Sequence, residues 1–129
     1  MFQQGRPLSA TERALFKSYF QQRTLDMARI IDGHVPFWLD KRMCAVVLGH
    51  KIYFRSSLYQ PNEGSLINTP TSLELLAHEL THVEQYLSGM TIFKYLWASR
   101  YGYRQNPYEI EAYDYGAYVC AQILLKTSN

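Results

Sequence analysis

Cysteine, histidine and net charge are all scarce in this chain, and each scarcity removes a class of function. The two cysteines, Cys44 and Cys120, are too few and too distant for the disulfide framework that staples small secreted domains. Thirteen basic side chains against eleven acidic ones leave a net charge of +2 with no basic run, so no nucleic-acid partner is expected. No apolar stretch approaches the roughly 18 residues of a membrane span. The N-terminus also lacks a charged segment followed by an apolar one, so a soluble, cytoplasmic chain without a Sec signal is expected, specialised export staying compatible. There is no internal repeat, low-complexity segment or linker, and residues 1–129 read as a single domain. With 47% hydrophobic and 19% charged residues, that domain can build a modest core.

Two of the four histidines fall in His78-Glu79-Leu80-Thr81-His82, an H-E-x-x-H pattern. The surrounding residues read as a helix of about 71 to 88: Pro70 leads into Thr71-Ser72-Leu73-Glu74, a capping-box form, and Ser88-Gly89 supplies the stop. Leu73, Leu76, Leu80, Val83 and Leu87 form one apolar stripe, with His78 and His82 nearly opposite it. Apolar neighbours beside the histidines, Leu75 and Tyr86, predict a helix covered on both sides, with the imidazoles in a cleft. Histidines four apart stand one above the other and can take two corners of a tetrahedral zinc site. Glu79 is the candidate general base.

A catalytic zinc needs a third protein ligand. His34 and His50 lie upstream in loop or strand, whereas Asn106-Pro107 is a cap and first-turn pair that starts a second helix running to about Leu125. Glu109 shares the small, apolar face of that helix with Ala112, Tyr113, Gly116, Cys120, Ile123 and Leu124, while Glu111 points away with Asp114, Tyr115, Tyr118 and Gln122. A carboxylate aimed into an apolar contact needs a compensating charge, which a metal would supply. Helical phase therefore favours Glu109 over Glu111, although either can complement the helix dipole.

The residues HELTHVEQ at His78 to Gln85, followed by NPYEIEA at Asn106 to Ala112, resemble the gluzincin metallopeptidases, and most closely the small minigluzincin-like proteins. The resemblance implies a small zincin-like α+β domain. Its parts would be an N-terminal helix, a short antiparallel or mixed sheet, the H-E-x-x-H helix and a C-terminal helix giving the third ligand. It also implies that His78, His82 and Glu109 bind Zn2+, that Glu79 is the catalytic base, and that the chain is a zinc-dependent metallopeptidase acting on a peptide or protein substrate. Latency would follow if Met1 to Leu8 or an inhibitory partner lay over the zinc. The alternative is a zinc-containing, non-catalytic binding or regulatory module on the same fold. One departure stands out: where many gluzincins carry an aspartate four residues after the ligand glutamate, this chain has Tyr113, with Asp114 turned away by about 100°.

Eight of the eleven tyrosines lie between Tyr86 and Tyr118, and Tyr86, Tyr101, Tyr103 and His50 are candidates for stabilising an oxyanion. Elsewhere, Ser9-Ala10-Thr11-Glu12 is a capping box opening a helix to about Thr24 that buries Leu15, Phe16, Tyr19 and Phe20. Met27 to Ile31, Val35 to Leu39 and Cys44 to Arg55 read as strands, and Ile52-Tyr53-Phe54-Arg55 as a sheet edge open to a peptide. Residues 56 to 70 read as a loop. Thr91 to Ser99 reads as a short helix whose Ile92, Phe93, Leu96 and Trp97 are expected in the core. A membrane partner is accordingly not expected, the rival being an interfacial anchor over Thr91 to Arg100. Nothing in the residues sets an oligomeric state.

Overall fold

The computed structural model describes residues 5–55 and 70–127. Two short helices come first, α1 (Ala10–Phe16) and α2 (Gln22–Met27), preceded by strand β1 (Arg6–Pro7). Ser9 and Glu12 cap α1 reciprocally, as the sequence predicts, and Glu12 is buried with the Arg6 guanidinium against both its carboxylate oxygens. The single helix expected to about Thr24 is in fact two. Phe20 still donates to the Phe16 carbonyl, so the burial period runs on through the turn, but Gln21 is extended and starts α2 afresh.

Strands β2 (Arg29–Asp32), β3 (Ala45–Leu48) and β4 (Lys51–Phe54) complete a mixed sheet ordered β1-β2-β4-β3. β2 and β4 run parallel, and β3–β4 is a hairpin turned at Gly49, whose φ of 67° suits a residue without Cβ. Three expectations need correction here. Met27 ends α2 instead of starting a strand, and Val35 to Leu39 forms a turn, because Pro36 has no N–H for a ladder and its carbonyl accepts from Leu39. β4 lies between β2 and β3, so Ile52 to Phe54 is no sheet edge; the edges among the described residues are the two-residue β1 and the longer β3.

Helix α3 (Pro70–Leu87) packs its Leu73, Leu76, Leu80 and Val83 stripe into the core formed with Ile30, Ile52 and Phe54 of the sheet. It begins one residue before the expected cap, taking in Pro70 from the loop expected over 56 to 70; the rest of that loop and the Thr71 side chain lie outside the described residues. After α3 come α4 (Ile92–Ala98), capped by Thr91 Oγ1 on the Lys94 N–H, a 3-10 turn at Tyr103–Gln105, and α5 (Pro107–Thr127). α5 runs against the back of α3 with Ala112, Val119, Cys120 and Ile123 buried. The result is a small α+β domain with helices on a short mixed sheet. Cys44 is exposed and Cys120 buried, and no disulfide joins them.

Candidate metal centre

The polar side of α3 is buried almost as well as its apolar stripe. His78 is 8% exposed and Glu79, His82 and Gln85 similarly enclosed, because α5 closes over them. Gly116 of α5 makes that approach possible: a Cβ there would lie 3.1 Å from the His78 nitrogen and 3.2 Å from its Cα, tighter than side chains normally tolerate. Asn106 caps the helix by accepting from the Tyr108 N–H at 2.8 Å and is itself tied to Ser99 Oγ at 2.7 Å. That fixes the rotation of α5, which carries Glu109 inward, 4% exposed, and leaves Glu111 outside.

One oxygen of Glu109 meets both imidazoles, with Oε1 3.1 Å from His78 Nε2 and 3.1 Å from His82 Nε2. Tyr103 donates to the same oxygen at 2.9 Å and Tyr95 to Oε2 at 2.5 Å. Behind His82, Gln85 sets the tautomer. Its amide nitrogen donates to the Tyr108 carbonyl at 2.9 Å and to Glu111 at 2.6 Å, so its Oε1, 2.8 Å from His82 Nδ1, must accept a hydrogen from that ring. A neutral His82 then presents a bare Nε2 lone pair to a carboxylate oxygen. Two acceptors at 3.1 Å require a cation between them, either a proton or a metal.

The donor set fits a divalent metal. Zinc bonds of about 2.0–2.1 Å at tetrahedral angles separate neighbouring ligand atoms by roughly 3.4 Å, close to the observed 3.1 Å. His78, Glu79 and His82 also lie together, with ligand atoms within 4.8 Å of one another. Burial raises the Glu79 carboxyl above its usual range, against the opposing pull of His78 and His82. Burial alone would raise Glu109 too, but hydrogen bonds from His78, His82 and Tyr95 hold it well below the usual carboxylate range. For His82, burial favours the neutral ring, and the Glu109 hydrogen bond and charge more than offset it.

The site opens into a cavity of about 210 Å³ between β3, α3 and α4, walled by Val47, Tyr86, Met90 and Leu96. A second hollow lies on the other side of the site, beside Arg42, Cys44 and Tyr113. Tyr103 and Tyr86, both expected near the reacting centre, line the cavity; Tyr101 is turned to solvent and His50 sits in the β3–β4 turn. His34 is exposed after β2. Tyr113 meets His78 with its ring, edge-on at 4.4 Å, while its hydroxyl faces Tyr103. Sequence reasoning missed Gln85 and Tyr95. The first was visible in its spacing, three residues beyond His82 on the same helical face; the second had no local signal.

With this geometry in view, kinship is informative. The sequence profile described as eCIS core domain matches residues 7–90. No curated protein matches the chain. Among solved structures, the effector domain of Pseudomonas aeruginosa VgrG2b is similar, at 24% identity and a TM-score of 0.58, over 93% of this chain and 74% of that one. At that identity the likeness shows a shared fold.

These matches overturn the resemblance to minigluzincin-like metallopeptidases, and with it the assignment as a zinc-dependent peptidase acting on peptide and its metallopeptidase-fold alternative. The physical reason lies in how little the resemblance measured. HELTHVEQ and NPYEIEA report the phase of two helices, and a pair of helices can gather two histidines and a glutamate without sharing a family's substrate.

Proposed function

Because this chain belongs to the eCIS core domain family, we propose that it serves a contractile injection system as a metal-holding domain, with His78, His82 and Glu109 as ligands for a divalent ion, zinc by its donor set. The observation that carries the reading is the facing of the His82 Nε2 lone pair and Glu109 Oε1 across 3.1 Å, with Gln85 holding the opposite ring nitrogen. The fold shared with a VgrG effector domain supports placing this chain with the scaffold or cargo of such a system.

Zinc, when bound, supplies Lewis acidity at the floor of the cavity. The chain's own residues do the rest. Gln85 orients His82, Tyr95 and Tyr103 fix the Glu109 carboxylate, and the apolar walls limit water. Glu79, buried beside the two histidines, is the candidate catalytic residue of an enzymatic role, taking and returning a proton there.

Two experiments test this. Zinc at about a hundredfold excess over its Kd should raise the melting temperature by on the order of 10 °C; His82→Ala should abolish the response. An unchanged transition in the parent chain would contradict the metal site. Co-expressed with injection-system particles, the chain should sediment with them, and its complete absence from the particle fraction would contradict the association.

A further inference from the structure

Helix α4 reverses the usual arrangement of a short helix. It buries none of its residues, and Phe93 and Trp97 are 78% and 69% exposed. Ile92 and Leu96 are exposed as well, which overturns their expected place in the core. The period-four spacing is real, but α4 touches α5 only lightly and all four of these side chains stay exposed. Across the mouth of the cavity, the turn after β2 offers Trp38, with Phe37 fully exposed beside it. Ile92 and Leu96 share that cavity with Trp38, while Phe93 and Trp97 stand on the adjoining flank of α4, beside Arg100 and Tyr101.

Charge along α4 and the segments flanking it has one sign. Between Gln85 and Glu109 the sequence contains Lys94, Arg100 and Arg104 and no acidic residue. Arg100 lies over Trp97 and Tyr101, 4.5 Å and 4.8 Å from the ring centroids, so cation and aromatics form one surface. On the facing turn, Asp40 is paired with Arg42 at 3.0 Å, and Lys41 adds a further positive charge. Exposed aromatic rings interleaved with Lys and Arg match the headgroup level of a bilayer, where amphipathic rings settle and basic side chains meet anionic lipid. A patch this apolar is rare on a surface that meets only water.

We infer that α4 and the turn at residues 34–43 dock peripherally on an anionic membrane surface, laying the mouth of the cavity against the lipid headgroups. No described helix is long and apolar enough to cross a membrane, so the contact is interfacial. It stands independently of the metal site, because none of its side chains is a proposed ligand.

The two tryptophans report the event. Vesicles of phosphatidylcholine with phosphatidylglycerol at 3:1 should co-sediment the chain at low salt and shift its emission to the blue, and pure phosphatidylcholine should do so far less. Phe93→Ser and, separately, Lys94→Glu with Arg100→Glu should each weaken partitioning about tenfold or more while leaving the circular dichroism unchanged. No sedimentation with the anionic vesicles would overturn the inference. So would undiminished binding by the Phe93 variant, or a blue shift that grows with protein concentration in the absence of lipid, which would assign the patch to a second copy of the chain.

Discussion

Helices α3 and α4 sit side by side on one cavity and break the hydrophobic rule in opposite directions. α3 buries two histidines, a glutamate and a glutamine, while α4 exposes a phenylalanine, a tryptophan, an isoleucine and a leucine. Exposed single apolar residues and buried paired charges are each unremarkable alone. Their concentration on two neighbouring helices that both line one cavity is not. Polar burial costs stability unless the groups find partners, and here Glu109 and Gln85 partner the two histidines while Tyr95 and Tyr103 hold Glu109. Of the exposed rings on α4, Phe93 stays 78% exposed and Trp97 is covered only by the Arg100 guanidinium. On the reading proposed above, the inner wall, α3, holds a metal ion and the outer wall, α4, meets a membrane surface.

Substitutions should separate the two walls by magnitude. Glu109→Ala removes the acceptor of four hydrogen bonds and should lower unfolding stability by about 3 kcal/mol in a urea titration without metal. A loss under 1 kcal/mol would mean that the carboxylate does not organise the cluster. Gly116→Val would press a branched side chain into the backbone of His78, and a loss of about 2 kcal/mol is expected by the same titration. Gln85→Ala should cost roughly 1–2 kcal/mol but reduce zinc affinity some 10–100-fold, because the His82 ring loses its orientation. Calorimetry that found both quantities unchanged would remove Gln85 from the site. Trp97→Ser should change stability by no more than about 0.5 kcal/mol, since an exposed ring contributes little to the folded state. A larger loss would erase the contrast by making α4 a structural helix.

Much of the inner wall was legible in the sequence. The α3 stripe, the Asn106–Pro107 start of α5 and the inward phase of Glu109 all follow from 3.6-residue periodicity and capping, which act locally. Gly116 and Ala112 were readable as the small face that lets two helices approach. The outer wall was not legible, because Ile92, Phe93, Leu96 and Trp97 have the spacing of a buried stripe, and periodicity does not say which side a neighbour covers. The split of the first helix was hidden for a related reason: Phe16 and Phe20 keep helical spacing across a turn. Position in the sheet was also out of reach. The edge assigned to Ile52 to Phe54 lies instead at β1 and β3, since the parallel pairing of β2 with β4 is a tertiary choice. Family kinship lay further off still, because the motif reports a site and the matching profile reports a lineage.

The central claim is that His78, His82 and Glu109 hold one divalent metal, and metal content measured after zinc loading and exhaustive dialysis tests it most directly. The expected result is close to one zinc per chain for the parent and for Glu111→Ala, falling near zero in His78→Ala, His82→Ala and Glu109→Ala. A parent chain that retains no zinc, or a Glu109→Ala variant that retains as much as the parent, would contradict it.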